Sequence, residues 1–537
     1  MTLEVAKSPF LFALILTVAL ADCRTADDTS TGKDDPATQT SDDGADGSSA
    51  ASTLAATQPA TGVLMHHNHP GRDGLFADPV LTRAKAAGLH RALNFSATYQ
   101  GNVYAQPLYV DNGPGGSPVV IVGTEANDIF AFDAKTGATV WHQSLGTPMS
   151  LANLPCGNID PLGVTGTGVI DSPSRTYFVG AMTAADDGSP RQKIFALSID
   201  NGSVVDGWPV DVGSLSAQGV SFDSSTQNQR GALALLGGTL YVPYGGHWGD
   251  CGTYHGWIVG VPIATPASAM AWATRAQGGG VWAPSGIAAD AKSLFVATGN
   301  TFSTDTWQDG EALIHLQPGP TFSAATSDYF APLNWNGLDA DDVDLGGSGA
   351  VLAATNSASN QNLLAAFGKD GFAYLVDPSN LGGVGHQLSS VQVNSGSIIT
   401  APATFATNTD RFFVVHAYSG AGVGCPSGQG GTLLGLKILS PPSWQVAWCQ
   451  SVAGRGSAVV SSSSTDASAG ASETVVWVIG SESDNRLHGF NAETGAVIFA
   501  GGGANDGMNK VRRFQSPIVA GGRIYVAGDN QLYAFDY

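Results

Sequence analysis

Residues Ile129 to Gly146 read IFAFDAKTGATVWHQSLG. Ile129 to Phe132 is a short β-prone run with an aromatic, fit for one strand. Asp133-Ala134-Lys135-Thr136-Gly137 is turn chemistry, because Asp can bond its own backbone and Gly tolerates positive φ. Ala138 to Gln143 predicts a returning strand that carries Trp141. The chain repeats this unit. Gly489-Phe490-Asn491-Ala492-Glu493-Thr494-Gly495-Ala496 copies the turn, with Phe499 in the place of Trp141. Tyr533 to Tyr537 gives the first half and stops, and Ile194–Leu197 with Asn201-Gly202, and Tyr374–Asp377, are looser copies. Repetition at roughly 45–55 residues with four short strands per period is the sequence sign of a β-propeller.

The rest of the composition agrees with an all-β chain. Glycine supplies 70 of 537 residues, only 12% are charged, and short β-branched runs broken by Gly, Asn, Asp and Ser outnumber helical patterns. The formal net charge of −21 argues against nucleic acid as a partner, since phosphate binding needs clustered Lys and Arg. The acidity reads as solubility.

The N-terminal segment 1–23 reads as a signal peptide. Pro9 to Ala21 is apolar over a length that suits a signal core better than a membrane span. Cys23 after Leu20-Ala21-Asp22 is similar to a bacterial lipoprotein cleavage box and is a candidate lipidation site. Asp22 before the cysteine, and Lys7 set against Glu4, depart from that pattern. Segment 24–62 is Asp, Thr, Ser, Ala and Gly-rich and is expected to be a disordered linker; the propeller is expected over 63–537. His66, His67 and His69 lie close together, but their spacing matches no common metal-ligand pattern. Cys156, Cys251, Cys425 and Cys449 predict two disulfides in an exported protein. Three pairings are open. Cys156–Cys251 and Cys425–Cys449 are the expected ones, the second because both cysteines fall in one blade unit.

The units run Tyr104–Leu145, Gly163–Val210, Gly231–Ala273, Val281 to about Phe330, Asp344 to about Val391, Ile398–Val452 and Ser457–Ala500. Phe514–Tyr537 supplies three more strands and lacks an outer one, which Ala92 to Tyr99 can provide. This predicts about eight four-stranded blades, with seven as the alternative, closed by N- and C-terminal strands.

The Asp-x-x-Thr-Gly turn followed by Trp resembles the repeat of pyrroloquinoline quinone (PQQ) propellers. Val103-Tyr104-Ala105-Gln106-Pro107-Leu108-Tyr109, Gly163-Val164-Thr165-Gly166-Thr167, Tyr254-His255-Gly256-Trp257, Ala297-Thr298-Gly299-Asn300 and Gly368-Lys369-Asp370-Gly371 look like blocks of exported bacterial PQQ-repeat proteins. The resemblance covers about Leu64 to Tyr537. It implies the propeller fold, shared by quinoprotein dehydrogenases and by a non-enzymatic lipoprotein of outer-membrane assembly. It also implies PQQ with calcium as a candidate cofactor. Lys369 would contact the quinone carbonyls and Asn300 would be a calcium ligand. Three features depart from the dehydrogenases. The third-blade turn Tyr244-Gly245-Gly246-His247 carries His rather than Glu, a poor calcium donor. Cys156 has no adjacent cysteine, and no acid among Asp305, Asp309, Asp339, Asp341, Asp342 and Asp344 stands out as a proton acceptor. There is also no Cys-x-x-Cys-His for haem attachment.

His247-Trp248-Gly249-Asp250-Cys251-Gly252-Thr253-Tyr254-His255 is the other dense cluster. At a central pocket, His247, Asp250 and His255 would offer polar groups and Trp248 a stacking face. The alternative is that Trp248 and Tyr254 pack between blades. No nucleophile-turn motif marks a hydrolase. The expected function is an exported cell-envelope module for ligand binding or scaffolding, in the periplasm, as an outer-membrane lipoprotein, at the cell surface or secreted. It would bind a small molecule or an envelope protein, act as a monomer and touch a membrane only through a lipid anchor. The alternative is a PQQ-dependent dehydrogenase of small alcohols or sugars.

Overall fold

The opening stretch forms the hairpin its sequence predicts. Asp128–Asp133 and Thr139–Ser144 pair antiparallel. Asp133 Oδ1 accepts from the N–H groups of Lys135 at 3.1 Å and Thr136 at 2.7 Å, and Gly137 takes φ +78°. Asn491 Oδ1 rebuilds this turn with Glu493 and Thr494 at 3.0 and 3.1 Å. The large aromatic and the Thr-Gly turn belong together because they meet across neighbouring blades. Trp141 Nε1 donates to Ile199 O at 2.8 Å, and a Cβ on Gly202 would lie 2.6 Å from the Trp141 ring. Trp448 meets Ala492 O at 2.8 Å and Gly495 in the same way. Only glycine leaves room for the indole there.

The computed structural model describes residues 58–302, 305–356, 359–463 and 473–537. They form an eight-bladed β-propeller. The innermost strands of blades 1 to 8 are Leu108–Val110, Val169–Asp171, Ala234–Leu236, Ala288–Ala289, Val351–Leu352, Ala403–Ala406, Val459–Ser462 and Ile518–Ala520. Each continues outward by antiparallel pairing. Blade 8 takes Arg523–Gly528 and Gln531–Asp536 from the C-terminus. Ala97–Thr98 and His90–Arg91 then pair with Gln531–Asp536, so N- and C-terminal strands close the ring. Apolar side chains of adjacent blades interleave. Phe178 and Trp208 of blade 2, for instance, share a cluster with Tyr244 and Trp257 of blade 3. Each such side chain stabilises the fold by about 1.5–3 kcal/mol.

The signal segment, Cys23 and most of the linker lie outside the described residues. The last part of the expected linker does not behave as one: the compact unit starts at Gln58, Ala60 is buried, and Gly62–Val63 pairs with Leu108–Val110. The polar composition around Ala60 hides one small apolar anchor.

From there the chain runs through the centre of the ring. An innermost strand leaves one row of backbone groups facing the axis, and those groups need partners. Residues 62–78 supply them. Leu64 O accepts from Ile170 N of blade 2, Pro70 O from Ala289 N of blade 4 and Gly71 O from Leu352 N of blade 5, at 2.8 to 2.9 Å. Asp73 O accepts from Thr404 N of blade 6 at 2.7 Å, and Leu75–Ala77 runs parallel to Val459–Ser462 of blade 7. Arg72 is buried in this plug. Its Nε, Nη1 and Nη2 donate to Ile287 O, His66 O and Leu233 O at 2.8, 2.9 and 2.7 Å.

Candidate functional site

In an antiparallel blade the chain enters the innermost strand on the same face at which it crosses from the second strand to the third. That face therefore collects two loops per blade, and here they surround a cavity of about 570 Å³. The residue four positions before the innermost strand lines it in blades 1, 2, 3, 4, 6 and 8: Tyr104, Thr165, Arg230, Pro284, Ile399 and Phe514. The crossings add His247 to Asp250 and Tyr254 from blade 3, Asn300 from blade 4, Lys369 from blade 5 and Tyr418 from blade 6.

Four of the five residues named from sequence meet here: His247, Asp250, Asn300 and Lys369. His255 does not. Tyr254 faces the cavity, and alternation along the chain sends its neighbour the other way. His255 is buried with Nδ1 2.9 Å from Thr274 O and its N–H on Gln227 Oε1. Trp248 does not pack between blades; it is 64% exposed at the cavity rim. Both expected disulfides form, and Cys156–Cys251 ties the Trp248 loop to the loop that carries Asn158 and Ile159. Of the three clustered histidines, His66 lines the cavity, His67 Nε2 contacts Ser516 Oγ at 3.1 Å, and His69 pairs with Asp73.

Of the six acids weighed in sequence, Asp342 and Asp344 line the cavity. The Asp344 carboxylate is buried at the cavity wall, Oδ1 accepts from Asn300 N at 2.7 Å, and Oδ2 meets the Lys369 ammonium. Asp342 Oδ1 takes the same ammonium at 2.8 Å. Burial alone would lower the Lys369 pKa, but these two carboxylates outweigh it and raise it. A Cβ at position 299 would come within 2.3 Å of Asp344 Oδ1, so Gly299 is what lets the carboxylate reach Asn300. Two of the other acids have structural work: Asp309 pairs with Arg275, and Asp339 accepts from Thr301 N at 2.8 Å. Burial, then the Arg230 charge, lowers His247 to about 4, so it is a neutral imidazole.

Arg230 and Trp282 escaped the sequence reading. Trp282 lines the cavity with Arg230 Cζ 5.7 Å and Lys369 Nζ 5.6 Å from its ring centroid. Arg512 and Arg513 also reach the cavity, but Asp529 and Glu482 neutralise them at 2.6 and 2.9 Å. Arg230 has no such mate. Its Nε is buried without a hydrogen-bond partner, and no carboxylate pairs with it among the described residues. The signal available in sequence was its position, an Arg-Gly just ahead of a predicted innermost strand.

Glu125 lies close behind Thr165 and Arg230. Burial pushes its pKa up to about 7 from 4.5, against the pull of the Gly163 N–H. The folded form then holds the proton more tightly than the unfolded chain. Its contribution to stability is complete below pH 4.5 and is lost as pH rises through 7. Glu125→Gln should therefore be more stable than the wild type by about 3 kcal/mol at pH 8, a gap that closes near pH 4. Urea unfolding at both pH values checks this; equal gaps would contradict it.

No family model and no curated relative matches the chain. Solved structures do. The quinohemoprotein alcohol dehydrogenase of Comamonas testosteroni is similar at TM-score 0.59 and 15% identity, over 90% of this chain and 81% of that one. A quinohemoprotein alcohol dehydrogenase of Pseudomonas putida HK5 gives TM-score 0.60 and 13% identity, over 88% and 80%. A europium-containing methanol dehydrogenase gives TM-score 0.59 and 13% identity, over 88% and 89%. At these identities the likeness establishes the shared propeller fold.

Proposed function

We propose that this chain is an exported ligand-binding propeller whose central cavity takes a flat, multiply anionic small molecule of the PQQ type. One observation carries the reading: a half-buried Trp282 on the cavity wall with two cations over its ring, of which Arg230 lacks any carboxylate partner. A desolvated guanidinium without a mate is costly, and a bound carboxylate would offset that cost. PQQ is a planar ring system bearing carboxylates, and Trp282 and Arg230 fit it. A calcium ion fits less well. It takes 6–8 oxygens, whereas Asn300 and Asp344 are the nearby donors and Lys369 already sits on Asp344. Among the described residues no three His, Cys, Asp or Glu side chains gather as metal ligands. The two disulfides support an oxidising compartment. Lipidation at Cys23 and an envelope partner remain part of the proposal.

A PQQ-dependent alcohol or sugar dehydrogenase is the second reading, favoured by Asp344. When bound, the quinone supplies a two-electron acceptor. Asp344, held by the Asn300 N–H and Lys369, is the chain's own group for accepting a substrate hydroxyl proton. Assay of alcohol and sugar oxidation by PQQ-loaded protein with an electron-accepting dye separates the two. Binding without turnover leaves the binding module. Turnover that falls at least a hundredfold in Asp344→Asn, with PQQ affinity within about tenfold, gives the dehydrogenase.

A further inference from the structure

The plug has a second consequence. It closes the axis beneath the cavity, so His66 becomes part of the cavity lining. Leu64 O bonds Ile170 N of blade 2, whose leading loop carries Thr165. Arg72 joins His66 O to Leu233 O, and Leu233 follows Arg230 into blade 3. Leu233 N in turn donates to Thr167 O at 3.0 Å. One guanidinium and one backbone bond thus gather His66, Thr165 and Arg230 at the same end of the cavity.

Two of the three show the same anomaly. His66 Nδ1 and Arg230 Nε are buried and have no hydrogen-bond partner among the described residues, and the Thr165 hydroxyl is buried with only the Glu125 carboxyl beside it. Buried polar groups in folded proteins are nearly always paired. Each of these can donate: a neutral imidazole through Nδ1–H, a hydroxyl and a guanidinium. Burial, and the neighbouring His67 and Arg72 charges, keep His66 neutral. Glu125, the acid behind Thr165, is held toward its neutral form by burial, so it leaves the donors' potential uncancelled up to about pH 7.

We propose that the N-terminal plug is part of the binding site, and that His66, Thr165 and Arg230 form a subsite for a carboxylate group of the ligand. Three donor-bearing side chains that line one cavity match the oxygens of a carboxylate. The subsite rests on the reading of the cavity as a site for a flat polyanion, and names the contact that the plug makes with it. The segment that composition marks as a tether is then the element that gives the cavity its floor.

The test uses the full chain and two probes, PQQ and benzene-1,3,5-tricarboxylate, a flat tricarboxylate without a quinone. His66→Ala and Thr165→Val should each weaken binding of both probes about tenfold, the effect of one lost hydrogen bond to a charged group. His66→Asn, which restores an N–H near Nδ1, should recover most of the affinity. Circular dichroism and melting confirm that each variant is folded, and Thr165→Val stands in if His66→Ala is not. Unchanged affinity for both probes in folded variants overturns the subsite while leaving the cavity reading intact. Tricarboxylate binding that depends on His66, with no PQQ binding, does the reverse. No binding of either probe by the wild type overturns both.

Discussion

Replacing Arg230 with Glu should lower the affinity for PQQ about a thousandfold. The charged hydrogen bond from Arg230 to a carboxylate is worth about 1.5–3 kcal/mol, and a Glu there sets like charges face to face at a further cost of kilocalories. The sum is about 4 kcal/mol, and each 1.4 kcal/mol is a factor of ten. The stability effect of the arginine itself is read from the uncharged Arg230→Met, which should leave stability unchanged or raise it, because Arg230 is partly desolvated without a mate and removing it relieves a folding cost. Arg512→Glu should behave differently, since it would break a pair with Asp529 and destabilise the fold as well. Calorimetric titration with parallel urea unfolding distinguishes these outcomes. An Arg230→Met variant that loses stability and affinity together would make Arg230 a structural residue.

Arg72→Ala should destabilise the protein by about 5 kcal/mol. Arg72 stays protonated at neutral pH, because burial lowers it only to about 9. It satisfies three carbonyls that have no solvent to turn to: Ile287 O, His66 O and Leu233 O. Hydrogen bonds from a charged donor contribute about 1.5–3 kcal/mol each, and relief from burying the charge returns part of the total. Arg72→Lys should recover only part of the loss, because an ammonium lacks the planar fork that spans three directions. The loss should appear in denaturant midpoints. A change below about 1 kcal/mol would mean that the plug is not integral to the fold.

Much of the fold was legible because propeller blades repeat their chemistry locally. The Asp133 turn and Trp141 lie in one stretch of sequence, and the copies at Asn491 and Trp448 show the same bonds in space. The closing strand was legible from an omission, since Gln531–Asp536 had no outer mate in its own unit. The plug was not legible. Its partners are backbone groups scattered over the inner strands, and backbone groups carry no residue code. The polar composition on either side of Ala60 pointed to disorder, and the tight turns at His66 to Gly74 looked like a histidine cluster. At the site, Asn300 and Lys369 stood out through the blocks around them. Arg230, Trp282 and Asp344 did not, because each is defined by a neighbour from another blade. His255 was misjudged for a local reason: Tyr254 beside it takes the cavity side.

The central claim is that the cavity binds a flat polyanion of the PQQ type. It is tested most directly by equilibrium titration of the purified full chain with PQQ at pH 7, in the presence of a chelator, followed by tryptophan fluorescence. Trp248 at the rim and Trp282 on the wall are the reporters. The account predicts saturable quenching at one molecule per chain with Kd of about 1 μM or tighter, lost in Arg230→Glu. Quenching that rises linearly without saturation, or that is the same in Arg230→Glu, would contradict it.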